Sequence, residues 1–317
     1  MTFPVPPKII ALMGPTATGK TALAVSLAKR FPVEIISVDS ALVYRGMNIG
    51  TAKPGPELLR DAPHRLIDIC DPATPYSVGQ FCQDAILAIH DILAKGHIPL
   101  LVGGTMLYFH QLFFGLATLP KRDEKIREKI AKRAEAEGWA GLHQKLSEID
   151  PAAAQKIKPQ DPQRIQRALE VFYLTGMPLS TLQQQQQSPY FSATSVKFIA
   201  LLPEDRAWLH HRIEQRFEEM LSMGFIEEVR ALKNRGDLHP DLPALRVVGY
   251  RQVWEYLEGK YDENTMKAKA LAATRQLAKR QMTWLRHWRS PCDVVDPQGA
   301  QMEEQCARII QHAFRTN

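Results

Sequence analysis

Residues Gly14 to Thr21 read G-P-T-A-T-G-K-T and restrict the fold of this chain more than any other stretch. They follow a short apolar run, Ile9 to Met13, and lead into Thr21 to Lys29, whose apolar spacing is that of a helix. Strand, glycine loop and helix in that order form a phosphate cradle. Gly14 and Gly19 are expected to supply backbone conformations that other residues resist. Gly14, Pro15, Thr16, Ala17, Thr18, Gly19, Lys20 and Thr21 would then wrap one anion with their backbone N–H groups. Lys20 adds a point charge, and the helix start adds a partial positive charge. The Thr21 hydroxyl is then placed to hold Mg2+ that shares the phosphate oxygens. The motif calls for a ligand ending in a di- or triphosphate. It leaves open whether ATP is that ligand, and what is done to it.

The rest of the chain alternates in a way that suits such a loop. The strand Glu34 to Ser40 stops at Asp39, which in an open parallel sheet should lie near the phosphate loop; the alternative is a turn aspartate. Tyr44 to Pro54 reads as an irregular loop, and His64 to Ile69 as a third short strand-like run. Ser77 and Gln80 form a capping box for a helix whose apolar face runs from Val78 to Leu93, with Gly96 ending it. Ile98 to Val102 is a fourth strand and delivers Gly103-Gly104-Thr105 to the same sheet edge. After Leu119-Pro120 the pattern becomes helical, charged and interrupted by Pro151, Pro159, Pro162 and Pro178, with Gln183 to Gln187 as a solvated loop. A fifth strand, Val196 to Leu202, restores the α/β pattern. It is followed by an amphipathic helix, Asp205 to Met223, carrying Arg212 and Arg216 one turn apart. Those two arginines either pair with neighbouring glutamates or reach toward phosphate. A last strand and helix span Cys292 to Phe314. The expected fold is a P-loop NTPase-like α/β core, a parallel sheet flanked by helices, with an all-helical insertion domain. The core would comprise 1–118 and 191–317, the insertion 119–190.

The chain has 317 residues, of which 45% are hydrophobic, enough to bury a full core. No apolar run reaches the ~20 residues of a membrane span, and the N-terminus lacks a leader pattern, so no membrane partner and a cytoplasmic location are expected. Cys70, Cys82, Cys292 and Cys306 are too scattered for a metal-binding spacing and are expected to pack as free thiols. The net charge of +6 is modest, but its distribution is uneven. From Lys267 to Arg289 there are seven Lys or Arg and no Asp or Glu, interleaved with Trp284 and Trp288. Charge of one sign over that length points to a polyanion, nucleic acid before others.

Further motifs narrow the reading. They are D-S-x-x-x-Y-R-G-M at Asp39 to Met47, I-G-T-A-K-P at Ile49 to Pro54, H-R-L-I-D at His64 to Asp68, L-V-G-G-T at Leu101 to Thr105, D-P-Q-R-I-Q-R-A-L-E at Asp161 to Glu170, R-V-V-G-Y-R at Arg246 to Arg251, and A-T-R-Q-L-A-K-R-Q-M-T-W at Ala273 to Trp284. In this order the chain resembles the bacterial tRNA dimethylallyltransferases, also called tRNA isopentenyltransferases. The likeness runs from the phosphate loop almost to the C-terminus. It implies that the exocyclic amine of the adenosine 3′ of the anticodon attacks dimethylallyl diphosphate and that diphosphate leaves. Lys20, the loop and Thr21-held Mg2+ would stabilise the departing charge. Asp39 would be the general base, with Thr105 orienting the amine or a phosphate oxygen. The resemblance further implies tRNA contacts from Asp39, Ser40, Ala41, Leu42 and Thr105, from Gln163, Arg164, Ile165, Gln166 and Arg167, and from Arg246, Val247, Val248, Gly249, Tyr250 and Arg251. Arg127 would brace the anticodon stem-loop around the extruded base. Leu42 stands where many relatives carry Gln, which removes a polar side chain from that set. The protein is expected to be a monomer. A P-loop small-molecule or nucleotide kinase is the alternative; it would require ATP and would leave the basic helix unexplained.

Overall fold

The computed structural model describes residues 8–115, 117, 119–184, 190–191 and 195–314. Gln185 to Gln187 of the glutamine run lie outside the described residues. The chain divides into two compact units, Met1–Phe113 with Phe191–Asn317, and Phe114–Tyr190.

The first unit is built on a parallel sheet of six strands in the order β3-β2-β4-β1-β5-β6. These are β1 (Ile9–Met13), β2 (Val33–Val38), β3 (His64–Arg65), β4 (Ile98–Gly103), β5 (Val196–Leu201) and β6 (Cys292–Val295). β1 lies between β4 and β5 with all five of its residues buried, which is why it reads as a continuous apolar run and not as an alternating one. The register brings Met13 and Val38 each opposite Gly103, so the chain leaves β1, β2 and β4 at one edge and delivers Gly14, Asp39 and Gly104 together. On one face, α1 (Lys20–Arg30) and α13 (Met302–Phe314) cover Ile10, Leu12 and Leu100 with Leu23, Leu27, Cys306 and Ile310. Elsewhere run α2 (Pro56–Asp61), α3 (Val78–Ala94) and α4 (Met106–Phe114). α3 carries the expected capping box, with both the Ser77 and Gln80 side chains engaged.

The run His64 to Ile69 is not a strand throughout. Leu66 and Asp68 adopt left-handed φ of 62° and 56°, which ends the extended backbone after Arg65. The Lys53 ammonium holds that turn through the Asp68 carboxylate and also donates to the Tyr44 carbonyl at 2.8 Å.

After β5 come α9 (Arg206–Ser222), α10 (Phe225–Asn234), a 3₁₀ turn at Pro243–Arg246, α11 (Tyr250–Leu257) and α12 (Glu263–Arg286). Leu209, Ile213, Phe217 and Met220 of α9 are buried, as their spacing requires. Phe217, Phe225, Tyr250, Trp254, Met266 and Ala270 share a second core with Val43, Tyr44 and Met47. This core anchors the irregular 41–50 segment to the helices.

The second unit is helical: α5 (Glu124–Ile149), α6 (Pro151–Lys156), α7 (Pro162–Thr175) and α8 (Leu179–Gln184). Its core contains Ile130, Leu142, Leu146, Ile165 and Leu169. Pro151 and Pro162 open α6 and α7 behind the N-cap carboxylates of Asp150 and Asp161, so these prolines start helices, where a missing N–H costs nothing. Gly138, at φ 73°, kinks α5 instead.

Candidate active site

The phosphate loop links β1 to α1. Gly19 caps α1 in a left-handed conformation (φ 82°), as its place in the motif requires. Gly14 serves differently from the sequence expectation. Its φ is ordinary, but a Cβ there would lie 3.0 Å from the Leu201 carbonyl oxygen and 3.1 Å from Thr18 Oγ1, so it is space that excludes a side chain. The second left-handed residue of the loop is Ala17, at φ 65°. Two internal bonds brace the loop: Thr18 Oγ1 donates to the Pro15 carbonyl at 2.8 Å and Lys20 Nζ to the same oxygen at 2.6 Å. The first N–H groups of α1 have no helix carbonyl to receive them.

Thr16, Ala17, Lys20 and Thr21 line a cavity of about 600 Å³. Asp39 to Leu42, Thr105, Arg216 and Arg246 to Gly249 line the same cavity. Asp39 Oδ1 accepts the Ala41 N–H at 2.8 Å and the Leu42 N–H at 3.3 Å, while Oδ2 has no hydrogen-bond partner among the described residues. Thr105 Oγ1 accepts the Ser40 N–H at 3.1 Å, tying the β4 glycine turn to the β2 terminus.

Two cations share this space. Burial, and next the nearby Arg216 guanidinium, hold Lys20 down at a pKa of about 7, against the opposing pull of Asp39. Burial likewise pushes Arg216 below its ordinary value. Neither has a carboxylate within ion-pair distance among the described residues. Lys20 is bonded to a carbonyl, and Arg216 donates to Thr16 Oγ1 at 3.4 Å and to the Thr51 carbonyl at 3.2 Å. Of Arg212 and Arg216, one turn apart on α9, Arg216 lines the cavity and Arg212 does not. Arg212 is exposed, its guanidinium 6.0 Å from the Trp208 ring centre.

The R-V-V-G-Y-R segment also divides. Tyr250 is fully buried with its hydroxyl donating to Glu228, and Arg251 is exposed and pairs with Glu255 at 3.1 Å, so neither lines the cavity. In the helical unit, Gln163 and Arg164 are exposed, but the Ile165 side chain belongs to the core and offers no contact surface. Arg127 and Arg167 are turned onto the fully buried Glu170 carboxylate, at 3.7 and 2.7 Å. Gln166 Nε2 donates to the Arg127 carbonyl at 3.2 Å.

The basic stretch is less uniform than its composition suggests. Lys267 pairs with Glu263 at 3.1 Å, Arg275 with Glu214 at 3.7 Å, and Lys269 sits 4.8 Å from the Tyr261 ring centre. Lys279 and Arg286 are exposed without a carboxylate partner among the described residues, and Arg280 lines the cavity.

Sequence reasoning missed Gln281. This buried side chain of α12 accepts the Thr16 N–H at 3.0 Å and donates to the Gly104 carbonyl at 2.8 Å, joining both glycine turns to the basic helix. The signal was available: Ala278, Gln281 and Leu285 fall on one buried helix face, where a glutamine needs partners. Among the described residues no group of three or more His, Cys, Asp or Glu could hold a metal. The cysteines are free; Cys70, Cys82 and Cys306 are buried and Cys292 partly so.

Comparison with known proteins completes this picture. Residues 42–288 match the family described as IPP transferase, and residues 7–68 match that described as Isopentenyl transferase. A protein of Coxiella burnetii (strain RSA 493 / Nine Mile phase I) named tRNA dimethylallyltransferase is 59% identical over 284 residues, 89% of this chain and 90% of its own length. One of Alkalilimnicola ehrlichii with the same name is 56% identical over 308 residues, 96% of each chain. The structure is also similar to that of the full-length tRNA isopentenylpyrophosphate transferase of Bacillus halodurans, with a TM-score of 0.67, 35% identity and coverage of 96% and 97%. A eukaryotic dimethylallyltransferase acting on tRNA gives a TM-score of 0.80 at 27% identity, covering 97% of this chain and 79% of the other.

Proposed function

The chain belongs to the IPP transferase family, and from that premise we propose that it transfers a dimethylallyl group from dimethylallyl diphosphate to the N6 amine of the adenosine 3′-adjacent to the anticodon in tRNA. The observation that carries the proposal is the pair Lys20 and Arg216: two basic side chains lining one cavity with Asp39, neither within ion-pair distance of a carboxylate among the described residues. Such a pair calls for a ligand with at least two negative charges, and a diphosphate supplies them. Family membership decides against the kinase alternative.

In the reaction, the N6 lone pair forms a bond to the allylic carbon as the carbon–oxygen bond breaks, and the electron pair leaves on the diphosphate. Lys20, Arg216 and the loop N–H groups meet that charge as it develops. The N6 proton passes to Asp39, whose Oδ1 is held by two backbone N–H groups while Oδ2 stays available. Thr105, fixed against Ser40, orients the amine. Thr21 lines the cavity beside Lys20, and its hydroxyl would hold Mg2+, which would supply positive charge against the leaving group.

For tRNA we assign Ser40 to Leu42 and Arg246 to Gly249 at the cavity, the exposed Lys279 and Arg286 on α12, and Gln163 and Arg164 on the helical insertion. Arg127 and Arg167 would act through the Glu170 cluster that shapes that insertion. A tRNA substrate supports a cytoplasmic location. Among the described residues no helix is long and apolar enough to cross a membrane.

The test is to incubate the purified protein with Mg2+, unmodified tRNA and dimethylallyl diphosphate, and to read the nucleosides by mass spectrometry. One isopentenyl unit on a single adenosine is expected. Unmodified tRNA in the presence of both substrates would overturn the proposal.

A further inference from the structure

Arg216 reaches the cavity from α9, and its guanidinium is held by the Thr51 carbonyl at 3.2 Å and by Thr16 Oγ1 at the longer distance of 3.4 Å. Thr51 belongs to the irregular segment 48–51, which is itself in neither a strand nor a helix. Inside the segment the Thr51 hydroxyl donates to the Met47 carbonyl at 2.7 Å, and the Ala52 and Lys53 N–H groups donate to the Ile49 and Asn48 carbonyls, both at 2.9 Å; from outside it, a helix carboxylate takes the remaining backbone donors. Glu228 Oε2 accepts the N–H groups of Asn48 and Ile49, both at 2.8 Å, and Oε1 accepts the N–H of Gly50 at 3.1 Å. The buried Tyr250 hydroxyl donates to the same Oε1. The carboxylate fixes the peptide planes that carry the Asn48, Ile49 and Gly50 N–H groups, and the turn bond from the Ala52 N–H to the Ile49 carbonyl at 2.9 Å passes this placement on, because the Thr51 carbonyl shares a rigid peptide plane with the Ala52 N–H. Gly50 permits the seat: a Cβ there would lie 2.0 Å from the Phe225 ring and 2.6 Å from the Tyr250 ring.

We propose that Glu228 is a positioning residue for the transfer reaction, acting through the 48–51 segment and the Thr51 carbonyl to hold Arg216 on the diphosphate. The proposal rests on the assignment of Arg216 to diphosphate made above. Glu228 itself touches neither substrate. Its sequence neighbours on α10 give no hint of the role, since Glu227 is an exposed first-turn acid. With a neutral amide in place of the carboxylate, one face of the side chain presents N–H to N–H. At least one of the three backbone donors then loses its acceptor, the segment loosens, and Arg216 loses its fixed direction.

A double-mutant cycle tests this, reading KM for dimethylallyl diphosphate and kcat at saturating tRNA, with tRNA affinity measured by filter binding. Arg216→Gln is expected to raise that KM ~30-fold or more and to lower kcat as well, because Arg216 also meets the developing charge, and Glu228→Gln to raise KM ~10-fold with a smaller fall in kcat, while tRNA affinity stays within ~2-fold of the parent. Because the second acts through the first, Glu228→Gln should add less than ~2-fold in the Arg216→Gln background. Full multiplication of the two effects on kcat/KM, or an unchanged KM for Glu228→Gln, would overturn the role of Glu228. An unchanged KM for Arg216→Gln alone would instead remove the assignment of Arg216 to diphosphate. Should Glu228→Gln not fold, Glu228→Asp keeps the charge against Tyr250 but cannot span all three donors, and the same cycle with it decides by the same criteria.

Discussion

Gln281 and Thr16 meet at 3.0 Å, the glutamine amide oxygen accepting the N–H of a phosphate-loop residue from the far end of the chain. The same amide donates to Gly104. One neutral side chain thus sets the spacing between the two glycine turns that frame the cavity, and does so without placing a charge beside the anion.

Replacing Gln281 by Leu leaves the part-buried Thr16 N–H without its acceptor, at a cost of ~1–3 kcal/mol, and leaves the Gly104 carbonyl with the Met106 N–H at 3.0 Å. The melting temperature is expected to fall by several degrees and transfer to slow. Gln281→Glu retains the acceptor but not the donor, and it puts a negative charge at the cavity wall. It should weaken diphosphate binding more than the Leu variant does, as calorimetry with inorganic diphosphate would read.

Lys20 makes diphosphate binding pH-dependent. In the free protein its pKa of about 7 means that the proton is lost above neutrality, and a bound anion restores it. Affinity should therefore be flat below pH 7 on account of this group and fall up to tenfold per pH unit above it. Stability of the free protein moves the opposite way. The folded state holds fewer protons than the unfolded chain between about pH 7 and the ordinary lysine value of 10.5, so this group adds stability as pH rises through that window. Binding titrations and thermal melts from pH 6 to 10 check both signs, and Lys20→Met should remove both dependences.

Asp39→Asn keeps the size and one acceptor oxygen for the Ala41 and Leu42 N–H groups but cannot take a proton. Folding and binding of both substrates are expected to persist while single-turnover transfer drops ~10²–10⁴-fold. Full rescue by raised Mg2+ would reassign Asp39 to the metal, and a rate within a few-fold of the parent would remove it as the base.

The basic helix makes a selective prediction about salt. Lys279→Gln and Arg286→Gln, which alter exposed cations without carboxylate partners among the described residues, should each lower the slope of log affinity for tRNA against log salt by under about one unit. Lys267→Gln, already neutralised by Glu263 at 3.1 Å, should leave that slope unchanged. Equal effects at all three positions would mean that the pairing to Glu263 does not persist in solution.

Much of this protein is local and therefore legible in its residues. The phosphate loop, the capped helix at Ser77 and the alternation of strands and helices depend on neighbours a few positions apart, and they determined the α/β core. The end of β2 at Asp39 and the glycine turn at Gly103 could be aligned because parallel strands share their carboxyl edge. The helical character of the stretch after Pro120 was equally plain. The motifs along the chain were enough to place it in its family.

Tertiary structure decided what depends on partners far apart in sequence. Composition could not say that Arg216 faces the cavity while Arg212 one turn away stacks near Trp208, because a small rotation about the helix axis separates the two. Nor could it say that Lys267 and Arg275 are spent on Glu263 and Glu214 while Lys279 is not. Gly14 looked like a residue chosen for its backbone freedom, yet only the approach of Leu201 from β5 reveals that it is chosen for its lack of a side chain. Gln281 and Glu228 gain their meaning from backbone groups that the fold brings to them, and a hydrogen bond to a main-chain N–H leaves no mark on the identity of the residue that donates it.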